Sequence, residues 1–291
     1  MNGILVVDKK EDITSRDVVN IVCKKLNTRH IGHTGTLDPI ATGVLVLGVN
    51  DGCKIIDLLT ADSKIYEAEI TLGIKTDTLD ITGDILDKED TSKVSIDDIK
   101  KVIDKFPKKY MQTVPKYSAV HVDGKRLYEY ARNNIEVELP KREVEIYNLE
   151  LISNLEDNRF SIRASVSKGT YIRSLIEDIG NNLGVYTTMS KLRRIKQGIF
   201  GIDMAYKLDD ITDSVKLISI KDALSNYDSI IVNSDIEKKV LNGMVLELDT
   251  NSDLVVVLNS SDKLLAIYKR YDKDPTKMKP YKVFKEEVWR H

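Results

Sequence analysis

The sequence predicts an α+β protein: a sheet with helices laid against it, followed by a separate unit built of short strands. Three observations point to it. Lys64 to Leu72, K-I-Y-E-A-E-I-T-L, alternates Tyr66, Ala68 and Ile70 with Glu67, Glu69 and Thr71, the two-residue period of a half-buried strand. Ile96, Ile99, Val102, Ile103 and Phe106, and again Ile172, Leu175, Ile176, Ile179 and Leu183, recur at helical spacing and form apolar stripes. From about Val232 the texture changes to short β-type runs separated by turns: V-L-N-G-M-V-L-E-L, D-L-V-V-V-L and K-L-L-A-I-Y-K-R.

The 291 residues accommodate one large or two unequal domains. Hydrophobic residues at 42% suffice for a core, and charged residues at 31% for a solvated surface. No apolar run approaches the ~20 residues that span a bilayer. The start, M-N-G-I-L-V-V-D, lacks the pattern of a secretory leader, so a cytoplasmic location is expected. Cys23 and Cys53 are far apart and have no zinc-type spacing, which fits two buried thiols. A net charge of −2 argues against indiscriminate nucleic-acid binding. The charge is segregated, however. Lys105 to Arg142 holds nine Lys/Arg against four Asp/Glu, and Lys263 to His291 the same, whereas Asp77 to Asp104 holds four against nine. Such segregation could form a basic RNA-facing surface, or vanish when the chain folds.

In chain order, Gly3 to Val7 is a short apolar strand, expected to end at Asp8 and Lys9. Thr14 is a candidate N-cap, and Val18, Val22 and Leu26 carry a helix after it. That helix leads into H-I-G-H-T-G-T-L-D-P-I-A-T-G-V-L-V-L, His30 to Leu47, a glycine-punctuated loop that runs into a buried strand over Val44–Val49. Pro39 biases Asp38 towards an extended conformation, so one carboxylate is presented on a stiffened turn. A lone Asp-Pro would be turn chemistry only. Gly73 to Asp84 is acidic and turn-rich, but its spacing is not that of a calcium loop, and a structural loop is expected. Ser95 caps the first amphipathic helix and Pro107 stops it. Met111 to Arg132 suggests a hairpin and a surface helix, with basic residues interleaved among Tyr117, Tyr128 and Tyr130. Tyr171 and Arg173 fall where a strand ends and the second amphipathic helix begins, and Gly184 is its stop. Arg193 and Arg194 could pair with phosphates or carboxylates. Ile211 to Ile231 reads as a connector.

The string G-H-T-G-T-L-D-P-I-A-T-G-V-L, Gly32 to Leu45, resembles the signature of the tRNA pseudouridine synthase B family. So do K-I-Y at Lys64–Tyr66, K-G-T-Y-I-R-S at Lys168–Ser174, the Q-x-P-P-type segment from Gln112, and K-L-R-R-I-K-Q-G-I-F from Lys191. The resemblance implies that Asp38 is the catalytic aspartate and that Arg173 pairs with it. It also implies that Tyr66, Tyr171 and Leu192 contact the target uridine, and that His33 fills the space an extruded base leaves. The chain departs from the family's D-K-P-x-G-x-T-S with Lys10 and Asp12, from Q-x-P-P with Val114, and from L-R-R-T with Ile195. The implied fold is a mixed, largely antiparallel sheet flanked by helices over residues 1–230, followed by a small PUA-like RNA-gripping β-barrel over 231–291.

The implied activity is isomerisation of uridine 55 in the T loop of tRNA to pseudouridine. The reaction moves the sugar C1′ from base N1 to base C5, with no net redox change. No cofactor, metal or guide RNA is expected, the partner is the tRNA T-stem-loop, no membrane is involved, and a monomer is expected. Two other readings stand beside this one: a synthase for another RNA, and an RNA-binding or tRNA-folding protein without catalysis.

Overall fold

The computed structural model describes residues 1–60 and 63–285. Its centre is one sheet of ten strands. The main path runs Tyr206–Lys207, Gly3–Lys9, Thr42–Val49, Thr187–Gln197, Lys64–Leu72, Arg159–Val166, Lys141–Leu151 and Lys109–Thr113. Only two pairings on it are parallel, Gly3–Lys9 with Tyr206–Lys207 and Thr42–Val49 with Thr187–Gln197, so the sheet is mixed and largely antiparallel as expected. The alternation at Lys64–Leu72 is realised in place: Tyr66, Ala68 and Ile70 are buried and the intervening residues half-buried.

Helices cover one face. Ser15–Lys25 starts at Thr14, whose side chain accepts from the Asp17 N–H while Asp17 accepts from the Thr14 N–H. This reciprocal pair satisfies donors that a helix start leaves open. Ile96–Asp104 has the same arrangement between Ser95 and Asp98. Ile172–Leu183 ends on Gly184 at φ 73°, the left-handed position that favours glycine. These helices, with Leu5, Leu45, Leu47, Ile70, Phe160 and Ile162 of the strands, form the first core. The strand Gly3–Lys9 is longer than its apolar residues suggested: Asp8 and Lys9 pair with Val44 and Gly43 instead of ending it.

The opposite face, lined by Ile4, Val6, Val44, Val46, Ile55, Leu59 and Phe200, packs on the C-terminal unit. That unit is a four-stranded sheet in the order Ser229–Val232, Leu254–Asn259, Leu264–Arg270, Met278–Val283, with helix Ser234–Leu241 against it. Its first pairing is parallel and the other two are antiparallel. Val256, Leu258, Ile267 and Phe284 are its side of the shared core. Residues 286–291, the end of the basic stretch from Lys263, lie outside the described residues. Among the described residues no helix is long and apolar enough to cross a membrane.

Candidate active site

Asp38 leaves the sheet on the loop between strands Ile31–His33 and Thr42–Val49. The loop is fastened at several points. The Leu37 N–H donates to Ser15 Oγ at 2.9 Å, the Asp12 N–H donates to the Pro39 carbonyl at 3.1 Å, and the Ala41 N–H donates to the Asp38 carbonyl at 3.0 Å. Lys9 is fully buried beneath it and donates to the carbonyls of Lys10, Ile13 and Pro39 at 2.9, 2.7 and 3.0 Å. Burial pushes its ammonium down to about 8, with the Asp38 carboxylate pulling the other way. Asp12, where the resembling family has glycine, sits at φ 64°, a conformation Asp tolerates better than most residues.

Arg173, on the first turn of helix Ile172–Leu183, meets Asp38 side-on. Its Nε lies 3.0 Å from Oδ2 and its Nη2 3.3 Å from Oδ1. The rest of the guanidinium is also engaged. Nη2 donates to the Tyr117 carbonyl at 3.0 Å, Nη1 donates to the Thr78 carbonyl at 2.9 Å, and Nη1 is 3.9 Å from the Asp80 carboxylate. The Arg173 side chain is 6% exposed and that of Asp38 36%, so the cation is enclosed while the carboxylate keeps an open side. A bidentate pair made by an enclosed guanidinium fixes direction as well as charge.

Tyr66 and Leu192 come from neighbouring antiparallel strands. Tyr66 faces Arg194 and Leu192 faces Ala68, so both side chains emerge on one face of the sheet. They are nearly buried in the same apolar cluster as Leu37 and Ala41 on either side of Asp38. Tyr171 immediately precedes the helix that carries Arg173, is half-buried, and has the Arg142 guanidinium 5.5 Å from its ring centre. His33 lies on Ile31–His33 opposite Leu47. Its Nδ1 is buried without a hydrogen-bond partner. Burial, with the Arg16 and Arg194 charges adding to it, pushes the ring below its ordinary range and favours the neutral form.

Several contributors are invisible in the sequence. The Thr78 and Tyr117 carbonyls are main-chain groups that no residue type announces. Asp80 belongs to the acidic loop read as structural. It is held by the Thr78 hydroxyl at 3.0 Å and by the Thr82 N–H at 3.0 Å, and its neighbour Leu79 is at φ 64°. Tyr117 turns its hydroxyl to Asp77 at 2.8 Å, and Tyr130 donates to the Val122 carbonyl at 3.0 Å. Tyr128 is the ring of this group that carries cations, with Arg126 and Arg132 at 5.9 and 5.4 Å. Arg193 forms a bidentate pair with Asp8 at 2.8 and 3.1 Å. Arg194 is buried and donates to the Val44 and Gly35 carbonyls at 2.6 and 3.3 Å, so it braces the loop and is not free for phosphate. Among the described residues no group of three or more His, Cys, Asp or Glu is placed to hold a metal.

The family model described as "TruB family pseudouridylate synthase (N terminal domain)" matches residues 23–172, and "tRNA pseudouridylate synthase B C-terminal domain" matches residues 173–250. A "tRNA pseudouridine synthase B" from Staphylococcus saprophyticus is 41% identical, the match covering 97% of this chain and 99% of that protein. One of the same description from Oceanobacillus iheyensis is 40% identical, with 98% of each covered. The fold is similar to that of a solved "H/ACA RNP bound to a substrate RNA containing 2'-deoxyuridine", with TM-score 0.73 and 24% identity, covering 99% of this chain and 86% of that one. The large mixed sheet, the separate C-terminal unit and the near full-length identity to these relatives agree: the chain belongs to the TruB family of pseudouridylate synthases, isomerases that act on RNA.

Proposed function

We propose that this chain converts uridine 55 in the T loop of tRNA to pseudouridine, acting on tRNA alone, with Asp38 as the catalytic group. The curated relatives are described as tRNA pseudouridine synthases, which supports tRNA as the substrate class. One observation carries the assignment of Asp38: a half-exposed carboxylate is held from behind by a buried guanidinium whose other bonds go to fixed carbonyls. Such a carboxylate is aimed outward with little freedom to reorient, which is the preorganisation an attack on a sugar or a proton abstraction needs. The reaction breaks C1′–N1, forms C1′–C5, and transfers the C5 proton to N1, so atoms balance without a co-reactant.

A base inside a stack is out of reach, so the target uridine has to be extruded. Tyr66 and Tyr171 are the rings to flank it, Leu192 adds apolar wall, and His33 fills the vacated space. The lowered proton affinity of His33 suits that role, because a neutral ring is inserted between bases at less desolvation cost than a cation. Residues 231–291 are proposed as the RNA-gripping unit. There Tyr281 has Lys269 and Lys282 at 5.1 and 4.7 Å from its ring, and Tyr271 has Lys279 at 5.4 Å, the pairing of aromatic and cation that RNA surfaces use. The protein is proposed to act as a monomer.

The test is incubation with an unmodified tRNA transcript followed by mapping of pseudouridine at single-nucleotide resolution. Product at position 55 is the expected result. Product elsewhere would move the substrate assignment to another site or RNA, and tight binding without product would leave an RNA-binding protein.

A further inference from the structure

Helix Ile172–Leu183 presents Arg173, and something has to set where that helix begins. The residue at its N-cap, Tyr171, makes no side-chain capping bond. The helix start is instead clamped by Gln112, a side chain from the edge strand Lys109–Thr113 that is 1% exposed. Gln112 Oε1 accepts from the Tyr171 N–H at 2.8 Å, and Gln112 Nε2 donates to the Tyr171 carbonyl at 3.2 Å. One amide thus bonds both main-chain groups of a single residue, as a neighbouring strand would, and shares the carbonyl with the Leu175 N–H at 3.0 Å. The second Nε2 proton goes to the Tyr110 hydroxyl at 3.0 Å, and that hydroxyl donates to Asp178 Oδ2 at 2.9 Å, back on the same helix. Ser174 Oγ adds a bond to the Thr113 carbonyl at 2.8 Å. Residues 171, 174 and 178 are spaced by three and four, so one helix face is stitched to one strand by side chains.

We infer that Gln112, steadied by Tyr110 and Asp178, is a positioning residue for the isomerisation: it fixes the Tyr171 main chain, and through it the aim of Arg173 on Asp38. This rests on the reading of Asp38 as the catalytic group. Gln112 touches neither Asp38 nor the proposed uridine face. It acts through the two residues that do, one directly bonded and the other two positions along a rigid helical turn. Buried, fully bonded networks of this sort are stiff, and a displaced amide leaves the Tyr171 N–H without a partner and its carbonyl with the Leu175 N–H alone.

The experiment is single-turnover conversion of saturating tRNA, with tRNA affinity measured separately. Gln112→Leu is expected to lower the rate about tenfold or more, since displacements near 1 Å at a reacting centre cost up to ~10²-fold, and to leave affinity unchanged. The decisive readout is a double-mutant cycle with Arg173→Ala. If Gln112 works through Arg173, its loss adds little once Arg173 is gone; additive losses would overturn the inference. A purely structural defect would slow both backgrounds alike. If Gln112→Leu does not fold, Tyr110→Phe, which keeps the amide and removes only its anchor, decides by the same cycle. Wild-type rates for both variants would also overturn it. Asp38→Asn is run alongside. If that variant converts tRNA, the underlying reading of the site fails; if it is inactive while Gln112→Leu and Tyr110→Phe are unimpaired, the positioning role alone fails.

Discussion

Arg173 engages both carboxylate oxygens of Asp38 and two carbonyls, and each of these bonds depends on the planar fork of a guanidinium. A lysine supplies one compact ammonium and cannot span them. Arg173→Lys is therefore expected to slow single-turnover conversion by roughly 10²-fold, with tRNA binding intact. An unchanged rate would show that charge alone suffices. His33 makes a second test. Its folded-state proton affinity is pushed below the ordinary 6.5, so over the window under 6.5 the unfolded chain holds a proton on this ring that the folded chain does not. Stability from this group therefore rises with pH across that window and is lost as pH falls. His33→Gln should flatten the decline of Tm as pH falls below 6.5, and a decline as steep as that of the wild type would contradict the burial effect. Asp38, His33, Tyr66, Tyr171, Arg173 and Leu192, the residues proposed for the site, are singled out by the sequence because each stands in a distinctive string. The Thr78 and Tyr117 carbonyls are not, because a carbonyl's availability depends on where its neighbours fold.

Among the elements, the strand Gly3–Lys9 and the Asp38 loop are tied by one amine. Lys9 Nζ serves three carbonyls, and Lys9→Met would strip those of Lys10 and Ile13 of this donor and leave that of Pro39 with the Asp12 N–H alone, at about 1–3 kcal/mol for each group that water cannot reach. The expected outcome is a clear drop in urea midpoint together with lower activity, because the Pro39 carbonyl next to Asp38 is among the three. Gly43 is a different constraint. It lies at φ 96°, and an added Cβ would collide with the backbone of Arg194 on the parallel neighbour strand. Gly43→Ala should lose about 1–3 kcal/mol of stability by overpacking. A stable Gly43→Ala protein would mean that the strand crossing is looser than described. The amphipathic helices and the alternating strand Lys64–Leu72 were readable from periodicity alone. The extension of the first strand through Asp8 and Lys9 was not, since polar residues there looked like an end. Burial of Lys9 is possible only because the loop folds its carbonyls inward.

For the molecule as a whole, the C-terminal unit is part of the main sheet's packing as well as the proposed RNA contact. Ile4, Val6, Val44, Val46, Ile55, Leu59 and Phe200 bury against Val256, Leu258, Ile267 and Phe284. Lys54 adds a bond to the Val283 carbonyl at 3.1 Å and sits 5.2 Å from the Phe284 ring. Each large apolar side chain so covered contributes about 1.5–3 kcal/mol relative to exposure. A chain ending at residue 228 should therefore aggregate or lose its cooperative thermal transition; a monodisperse, cooperatively melting product would show the two units to be independent. The change of texture near Val232 is visible in the sequence, but this shared core is not, because nothing in a strand's pattern names the surface it will meet. The most direct test of the whole scheme is made on intact tRNA with Asp38→Asn, in a single-turnover assay that reads pseudouridine and bound tRNA from the same samples. The expected result is normal binding with no pseudouridine formed. Conversion at the wild-type rate would remove Asp38 from the reaction and contradict the assignment.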